Sequence, residues 1–169
     1  GRSKIAKKTI LTHTGSLSGK EQIYDTLFNQ MGVARCNTLS ELCETLKLFH
    51  KFRALKGDKV ALMGPSGGDM AMIGDMSNKL SINYSSIPND IVKKLKKVNH
   101  KGVIVSNPFD LQTYNWNDPE SIKKTFDLMF KAKFNIVGLM LDFPNIEECD
   151  IIEWNNIVDK FLLSSKGKN

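Results

Sequence analysis

Val60-Ala61-Leu62-Met63-Gly64-Pro65-Ser66-Gly67-Gly68 decides how the chain is read. Four consecutive apolar residues have the length of a buried strand. Gly64 to Gly68 is then a tight loop, and Asp69 to Leu80 reads as a helix opening from it. The same alternation continues outward. Toward the C-terminus, Ile82–Ile87 and Val103–Val105 read as strands and Ile136–Leu141 as the best strand of the chain. Helices are expected after Pro88-Asn89-Asp90, after Asp118-Pro119-Glu120 and over Ile151–Leu163. In the second of these, Asp118 is the N-cap, Pro119 takes the first helical position, and Ile122, Phe126, Met129 and Phe130 form the apolar face.

Toward the N-terminus, the apolar run Thr9-Ile10-Leu11 leads into the small polar loop Thr12–Gly19. Ile23, Leu27 and Met31, with Phe28 beside them, have helical spacing, and Gly32 is a helix stop. Val33–Cys36 reads as a short strand. Thr38 and Glu41 match a capping box, and Leu39, Leu42, Leu46 and Phe49 form an apolar stripe expected in the core. Arg53–Lys59 is polar, contains Gly57 and reads as a boundary. Strands alternating with helices predict an α/β layered fold with a largely parallel sheet. Ligands of such sheets bind at the carboxyl ends of strands, which directs attention to His13, Ser66–Gly68, Asn107–Asp110 and Asp142.

Composition narrows the function classes. The chain has 169 residues, 41% hydrophobic and 25% charged, enough to bury a core and too apolar for a disordered chain. It holds no run of about 18 apolar residues, so no membrane helix is expected. Three cysteines without a CxxC pair exclude a disulfide framework and a zinc ribbon and point to a reducing, cytoplasmic setting. Cys36 and Cys43 are read as buried. The net charge is +6, and residues 1–20 and 91–101 each carry five cations and no acid. Aromatic residues are not interleaved with these runs, as a single-strand nucleic-acid platform requires, so no nucleic-acid partner is expected. Lys93–Lys97 reads as the solvated face of a helix whose apolar side is Ile91, Leu95 and Val98.

Few residues stand out chemically. His13 lies among small residues, where a neutral imidazole is a nucleophile near neutral pH; the alternative is a loop histidine without a role. Ser66-Gly67-Gly68 opens a helix, so its backbone N–H groups and the helix dipole suit a phosphate. It lacks the lysine of a P-loop, and Asp69 repels an anion there; a plain strand-to-helix turn is the other reading. Asn107-Pro108-Phe109-Asp110 is a turn by composition, with Asp110 free to bind a polar group or to cap a helix. His50 and His100 read as surface residues. No metal ligand set is put forward.

Taken in order, several segments resemble one family. Thr12-His13-Thr14-Gly15-Ser16-Leu17-Ser18-Gly19 resembles the S-H-T-G-[AS]-L-A-G segment of NDP-forming (ADP-forming) acyl-CoA synthetases, the acetate–CoA ligases and relatives of succinyl-CoA synthetase. Gly1-Arg2-Ser3 resembles the G-R-S that precedes it. Phe28 to Arg35 resembles F-x-[QR]-x-G-[VI]-x-R, Met63–Gly68 with Asp75 resembles the strand–SGG–helix segment, and Asn107–Asp110 resembles N-P-x-D. Pro108–Trp116 and Leu141–Pro144 look like a bacterial branch. Thr12 stands where the family more commonly has Ser, and Asp69 where many members have a small or neutral residue.

The resemblance implies a flavodoxin-like three-layer αβα architecture. Residues 1–56 would be the C-terminal part of a flavodoxin-like domain carrying the histidine loop. Residues 57–169 would be a second flavodoxin-like domain, the whole being an incomplete piece of a larger multidomain enzyme. It implies that His13 becomes phosphorylated, with Thr14, Gly15, Ser66, Gly67 and Gly68 binding phosphate and Asn107 and Asp110 as further candidates. Acid, CoA and ATP would give acyl-CoA, ADP and phosphate through an acyl phosphate. ATP or ADP with Mg²⁺, and CoA, are expected as substrates of the full enzyme, with no cofactor in this piece, which would be inactive alone. CoA-binding and ATP-grasp domains, fused or as a subunit, and a small carboxylic acid are the implied partners. Which acid, ADP or GDP, and homo-oligomerisation stay open. The competing readings are a non-catalytic regulatory copy and a flavodoxin-like binding module.

Overall fold

The computed structural model describes residues 3–14, 20–52, 55–80 and 82–167, and at His13 and Thr14 the backbone alone. It divides into two compact units, Gly1–Ala54 and Leu55–Asn169.

The N-terminal unit is helical throughout its described elements: α1 (Lys4–Thr14), α2 (Glu21–Met31) and α3 (Leu39–Phe52). Ser3 caps α1, its Oγ accepting the Ala6 N–H at 3.1 Å. The Thr9 and Thr12 hydroxyls fold back onto the carbonyls of Ile5 and Thr9. Thr9-Ile10-Leu11 and the start of the expected polar loop, Thr12–Thr14, therefore lie in a helix. The apolar run is three residues of a helical segment that begins under its own cap, so its short length says nothing about a strand.

Helix α2 ends as read: Gly32 is left-handed at φ 66°, and Val33 N–H reaches the Phe28 carbonyl at 2.8 Å, a Schellman closure. Arg35 then turns back to bind Glu21 at 2.8 Å and Asp25, with its guanidinium 5.9 Å from the Phe28 ring centroid. The hydrogen bond to Asp25 holds the guanidinium above its ordinary pKa. This packing against α2 takes the place of the strand expected at Val33–Cys36. Thr38 Oγ1 accepts the Glu41 N–H at 3.1 Å, and the Glu41 carboxylate accepts the Asn37 N–H, one residue further back than a strict capping box. The stripe expected in the core is not buried: α2 and α3 contain no buried residue, and Cys43 is exposed while Cys36 is half-buried.

The C-terminal unit runs β1 (Val60–Gly64), α4 (Gly67–Leu80), α5 (Asn89–Val98), β2 (Phe109–Asp110), α6 (Pro119–Lys131), β3 (Ile136–Leu139) and α7 (Ile152–Ser165). The three strands are parallel in the order β2-β1-β3, with Ala61 beside Val137, and Met63 beside both Leu139 and Phe109. Side chains alternate across the sheet. Ala61, Met63 and Phe109 enter a core with Ile91 and Leu95 of α5, Ile122, Phe126 and Met129 of α6, and Ile157 of α7. Leu62 and Gly64 face the opposite side, where Met70 of α4 lies against Gly64. The result is helix, sheet, helix. Ile91 and Leu95 of α5 and Ile122, Phe126 and Met129 of α6 are buried as their spacing predicts, Val98 and Phe130 are half-buried, and Asp118 caps α6 by accepting the Ser121 N–H at 3.0 Å.

Two strands expected in this unit are absent among its described residues. Ile82–Ile87 contributes a single bridge, Asn83 to Lys59, and Val103–Val105 pairs with nothing. The reason lies at Asn107. Its amide Nδ2 donates to the carbonyls of Val60 and Ser85 at 2.7 and 2.8 Å, and its Oδ1 accepts the Leu62 N–H at 3.3 Å. A side chain thus occupies the β1 edge where a neighbouring backbone would otherwise pair, and strand pairing resumes only at Phe109.

Candidate functional site

The expected site residues are divided between the two units of the chain. His13 and Thr14 are the last described residues of α1, so their backbone is helical rather than part of a loop. Gly15 lies outside the described residues. By helical spacing Lys4, Lys7 and Lys8 fall on other faces of α1 than position 13. The basic N-terminal run is therefore not gathered around the histidine position by its own helix.

Ser66, Gly67, Gly68 and Asp110 come together at the carboxyl end of the sheet. β1 ends at Gly64, and α4 begins at Gly67, two residues earlier than Asp69. Ser66 is the cap: its Oγ accepts the Asp69 N–H at 3.2 Å and its carbonyl accepts the Met70 N–H at 3.1 Å. Among the described residues the Ser66 O–H has no acceptor. The first N–H groups of a helix have no intrahelical partner, so Gly67 and Gly68 present donors outward. Both glycines are exposed.

Register brings Asp110 beside Gly64, and its Oδ2 lies 2.8 Å from the position a Gly67 Cβ would take. The other oxygen accepts the Gln112 N–H at 2.9 Å. Asp110 therefore caps a turn and leans a carboxylate on the α4 N-terminus, with Asp69 in the first turn of the same helix. The site combines amide donors, a hydroxyl and a helix dipole that attract an anion with two carboxylates that oppose it. Asn107 is committed to the β1 edge and does not reach this group.

Gly64 is required here. A Cβ would stand 2.7 Å from the Met140 carbonyl oxygen, where the chain leaves β3. Two residues not singled out from the sequence frame the same end. Trp154 donates its indole N–H to the Asp142 carbonyl at 2.8 Å, Trp116 donates to the Gln112 carbonyl at 3.1 Å, and the two rings meet edge to face at 4.9 Å. They tie down the loops that follow β3 and β2. The available signal was two tryptophans in polar segments, each with an N–H that needs a partner. Among the described residues no group of three or more His, Cys, Asp or Glu side chains is placed to hold a metal, and no helix is long and apolar enough to cross a membrane.

Residues 1–49 match a family described as the succinyl-CoA ligase like flavodoxin domain. The chain is 28% identical over 111 residues to the ADP-forming acetate–CoA ligase of Methanocaldococcus jannaschii, a match covering 66% of this chain and 16% of that one. It is 29% identical over 111 residues to the alpha subunit of ADP-forming acetate–CoA ligase II of Pyrococcus furiosus, covering 66% and 24%. These relatives are much longer, and the chain spans less than a quarter of each. Among solved structures it resembles a dinucleotide forming acetyl-coenzyme A synthetase 1 of Ca. Korarchaeum cryptofilum, in complex with phosphate and ADP, at TM-score 0.78 and 18% identity over 99% of this chain and 36% of that one. That likeness establishes the fold, an α/β flavodoxin-like arrangement. The matched domain over residues 1–49 and these relatives support the resemblance to ADP-forming acyl-CoA synthetases read from the sequence.

Proposed function

We infer that the chain is the part of an ADP-forming acyl-CoA synthetase that carries the phosphoryl group on His13. In the synthetic direction ATP phosphorylates the imidazole and releases ADP. The carboxylic acid then takes the phosphoryl group as acyl phosphate, and CoA displaces phosphate to give acyl-CoA. The observation that carries this reading is the α4 N-terminus. Ser66, Gly67 and Gly68 offer a hydroxyl and outward N–H groups at the carboxyl end of a parallel sheet. A phosphohistidine needs positive potential that does not bond to it permanently, and oriented amides supply that. The phosphorylated form of His13, with Thr14 and Gly15 as its neighbouring phosphate binders, calls for donors of this kind.

In this reading residues 1–56 complete a histidine-bearing flavodoxin-like domain and residues 57–169 form a second one. CoA-binding and ATP-grasp domains of the same enzyme supply CoA, nucleotide and Mg²⁺ binding, and the substrate is a small carboxylic acid. Asp110 and Asp69 keep the α4 N-terminus from holding phosphate too tightly, which suits a carrier that must release its group.

The test uses the full enzyme with labelled ATP and Mg²⁺. An acid-labile, base-stable phosphoryl label is expected, and His13→Ala abolishes it. Equal labelling of His13→Ala and wild type removes His13 from the reaction. Gly67→Asp, which adds a third carboxylate beside Asp110, is expected to lower labelling while leaving the far-UV spectrum unchanged.

A further inference from the structure

The carboxylate of Asp110 leans on the α4 N-terminus without being bonded to it. Its Oδ2 is 2.8 Å from where a Gly67 Cβ would stand, and among the described residues this oxygen accepts no hydrogen bond. The hold lies on the other oxygen. Oδ1 accepts the Gln112 N–H at 2.9 Å, so the direction of the side chain depends on the conformation of Gln112. That conformation is left-handed, at φ 51°. Glutamine adopts it at a cost, because its Cβ crowds the following carbonyl, and such a residue persists only where its surroundings fix it.

The surroundings of Gln112 do fix it. On its N-terminal side, Leu111 donates its N–H to the Gly64 carbonyl at 2.8 Å and buries its side chain in the core. On Gln112 itself, the carbonyl accepts the Trp116 indole N–H at 3.1 Å. On its C-terminal side, Asn115 donates to the buried Asn99 at 3.0 Å. The Trp116 ring meets Trp154 edge to face, and Trp154 is itself held by the Asp142 carbonyl at 2.8 Å. Among the described residues, Asp110 and Trp116 are the side chains bonded to the Gln112 backbone, one at its N–H and the other at its carbonyl. The indole therefore acts on Asp110 through the peptide group between them.

We propose that Trp116 is a positioning residue for phosphoryl transfer. By clasping Gln112 in its left-handed conformation it keeps the Asp110 carboxylate aimed at Gly67, and so sets how firmly the Ser66–Gly68 turn holds a phosphoryl group. This rests on the reading of that turn as the partner of phosphorylated His13. A carboxylate fixed beside the turn opposes the phosphoryl group and favours its release. One free to rotate into water is hydrated and screened, and opposes it less.

The test labels the full enzyme from labelled ATP and chases it with ADP. In the chase the phosphorus–nitrogen bond breaks, the phosphoryl group passes to the β-phosphate of ADP, and ATP and neutral imidazole result. Asp110→Asn keeps an acceptor for the Gln112 N–H but removes the charge, and is expected to slow this discharge about fivefold. Trp116→Phe keeps a ring against Trp154 but removes the donor. It is expected to slow discharge about threefold, and less than about 1.5-fold further in the Asp110→Asn background. Glycine takes positive φ freely, so Gln112→Gly is expected to restore at least about half of the rate lost in Trp116→Phe. General damage to the fold acts alike in both backgrounds and is not repaired by a glycine. An undiminished Trp116→Phe effect in the Asp110→Asn background, no effect in the wild-type background, or no rescue by Gln112→Gly would each overturn the proposal. A second measurement does not depend on His13. In urea unfolding of the chain, Asp110→Ala and Trp116→Phe each release Gln112, so the midpoint loss of the double variant is expected to fall short of the sum of the single losses. Absence of label on wild type together with this coupling overturns the reading of His13 and leaves the clasp standing; additive losses overturn the clasp.

Discussion

In the C-terminal unit, Ile122, Phe126 and Met129 repeat at helical spacing along α6 and are buried. In the N-terminal unit, Leu39, Leu42, Leu46 and Phe49 repeat the same way along α3 and are 42–76% exposed. The two stripes differ little as patterns. What separates them is a sheet: α6 packs over β1 and β2 through Met63 and Phe109, while the N-terminal unit has no strand among its described residues. Amphipathic spacing fixes which face of a helix is apolar and leaves open what covers it.

The comparison is broken or upheld most directly by truncating one residue of each stripe. Phe126 is fully buried, and Phe126→Ala is expected to cost about 3–5 kcal/mol in urea unfolding. Leu46→Ala is expected to cost less than about 0.5 kcal/mol, because the side chain is already in water. If Leu46→Ala costs as much as Phe126→Ala, the α3 stripe is buried in solution and the contrast between the units disappears.

A smaller effect tests what organises the sheet. Asn107→Ala takes away the side-chain partner of the Val60 carbonyl and the Leu62 N–H on β1 and of the Ser85 carbonyl beside it, at an expected cost of about 2–3 kcal/mol. Asn107→Asp keeps the acceptor for Leu62 N–H but turns a carboxylate toward the Val60 and Ser85 carbonyls, so it should destabilise at least as much as alanine. An aspartate variant as stable as wild type would mean that the amide does not hold the edge.

Glycines sharpen the contrast at the next level down. Gly64→Ala places a methyl against the Met140 backbone, which cannot yield without moving β3, and about 1–3 kcal/mol is expected. Gly32 lies in open space, and Gly32→Ala pays only for its left-handed backbone, about 1–2 kcal/mol. Melting by circular dichroism should rank the two in that order: the cost in the C-terminal unit comes from packing, and in the N-terminal unit from local conformation alone.

These cases also show what was legible in the sequence. The β1–loop–α4 segment, the Asp118 cap, the Gly32 stop and the buried faces of α5 and α6 follow from local chemistry, and all appear in the structure. The errors lie where a distant partner decides. Val103–Val105 has strand composition, but a side chain 45 residues from Leu62 takes the edge it would have used. Thr9–Leu11 is apolar, but Ser3 starts a helix that runs through it. At the candidate site, Ser66–Gly68 could be placed at a strand end from the sequence. That Asp110 would lean on Gly67 could not, because it depends on β1 and β2 pairing in one register.

The smallest expected effect concerns how charge is anchored on a helix that has a core behind it. Asp127 of α6 is pushed up by partial burial, but the hydrogen bonds from Lys123 and Ser164 and the charges of Lys123 and Lys131 outweigh this and hold its carboxyl below the ordinary value. A carboxylate whose pKa is lower folded than unfolded contributes stability above its unfolded pKa, about 3.9, and loses it as the pH falls through the folded value. Both side chains of the Lys123–Asp127 pair are about a third exposed, so the contribution is a few tenths of a kcal/mol. Asp127→Asn should therefore match wild type closely at low pH and fall slightly below it at pH 7. The exposed Lys47–Glu44 pair of α3, with both side chains 70% exposed, sets the reference, since Glu44→Gln should change the stability at pH 7 less than Asp127→Asn does. If Glu44→Gln costs more at pH 7 than Asp127→Asn does, then the helix without a core holds its charges more firmly than the helix packed on one, and burial is not what anchors them.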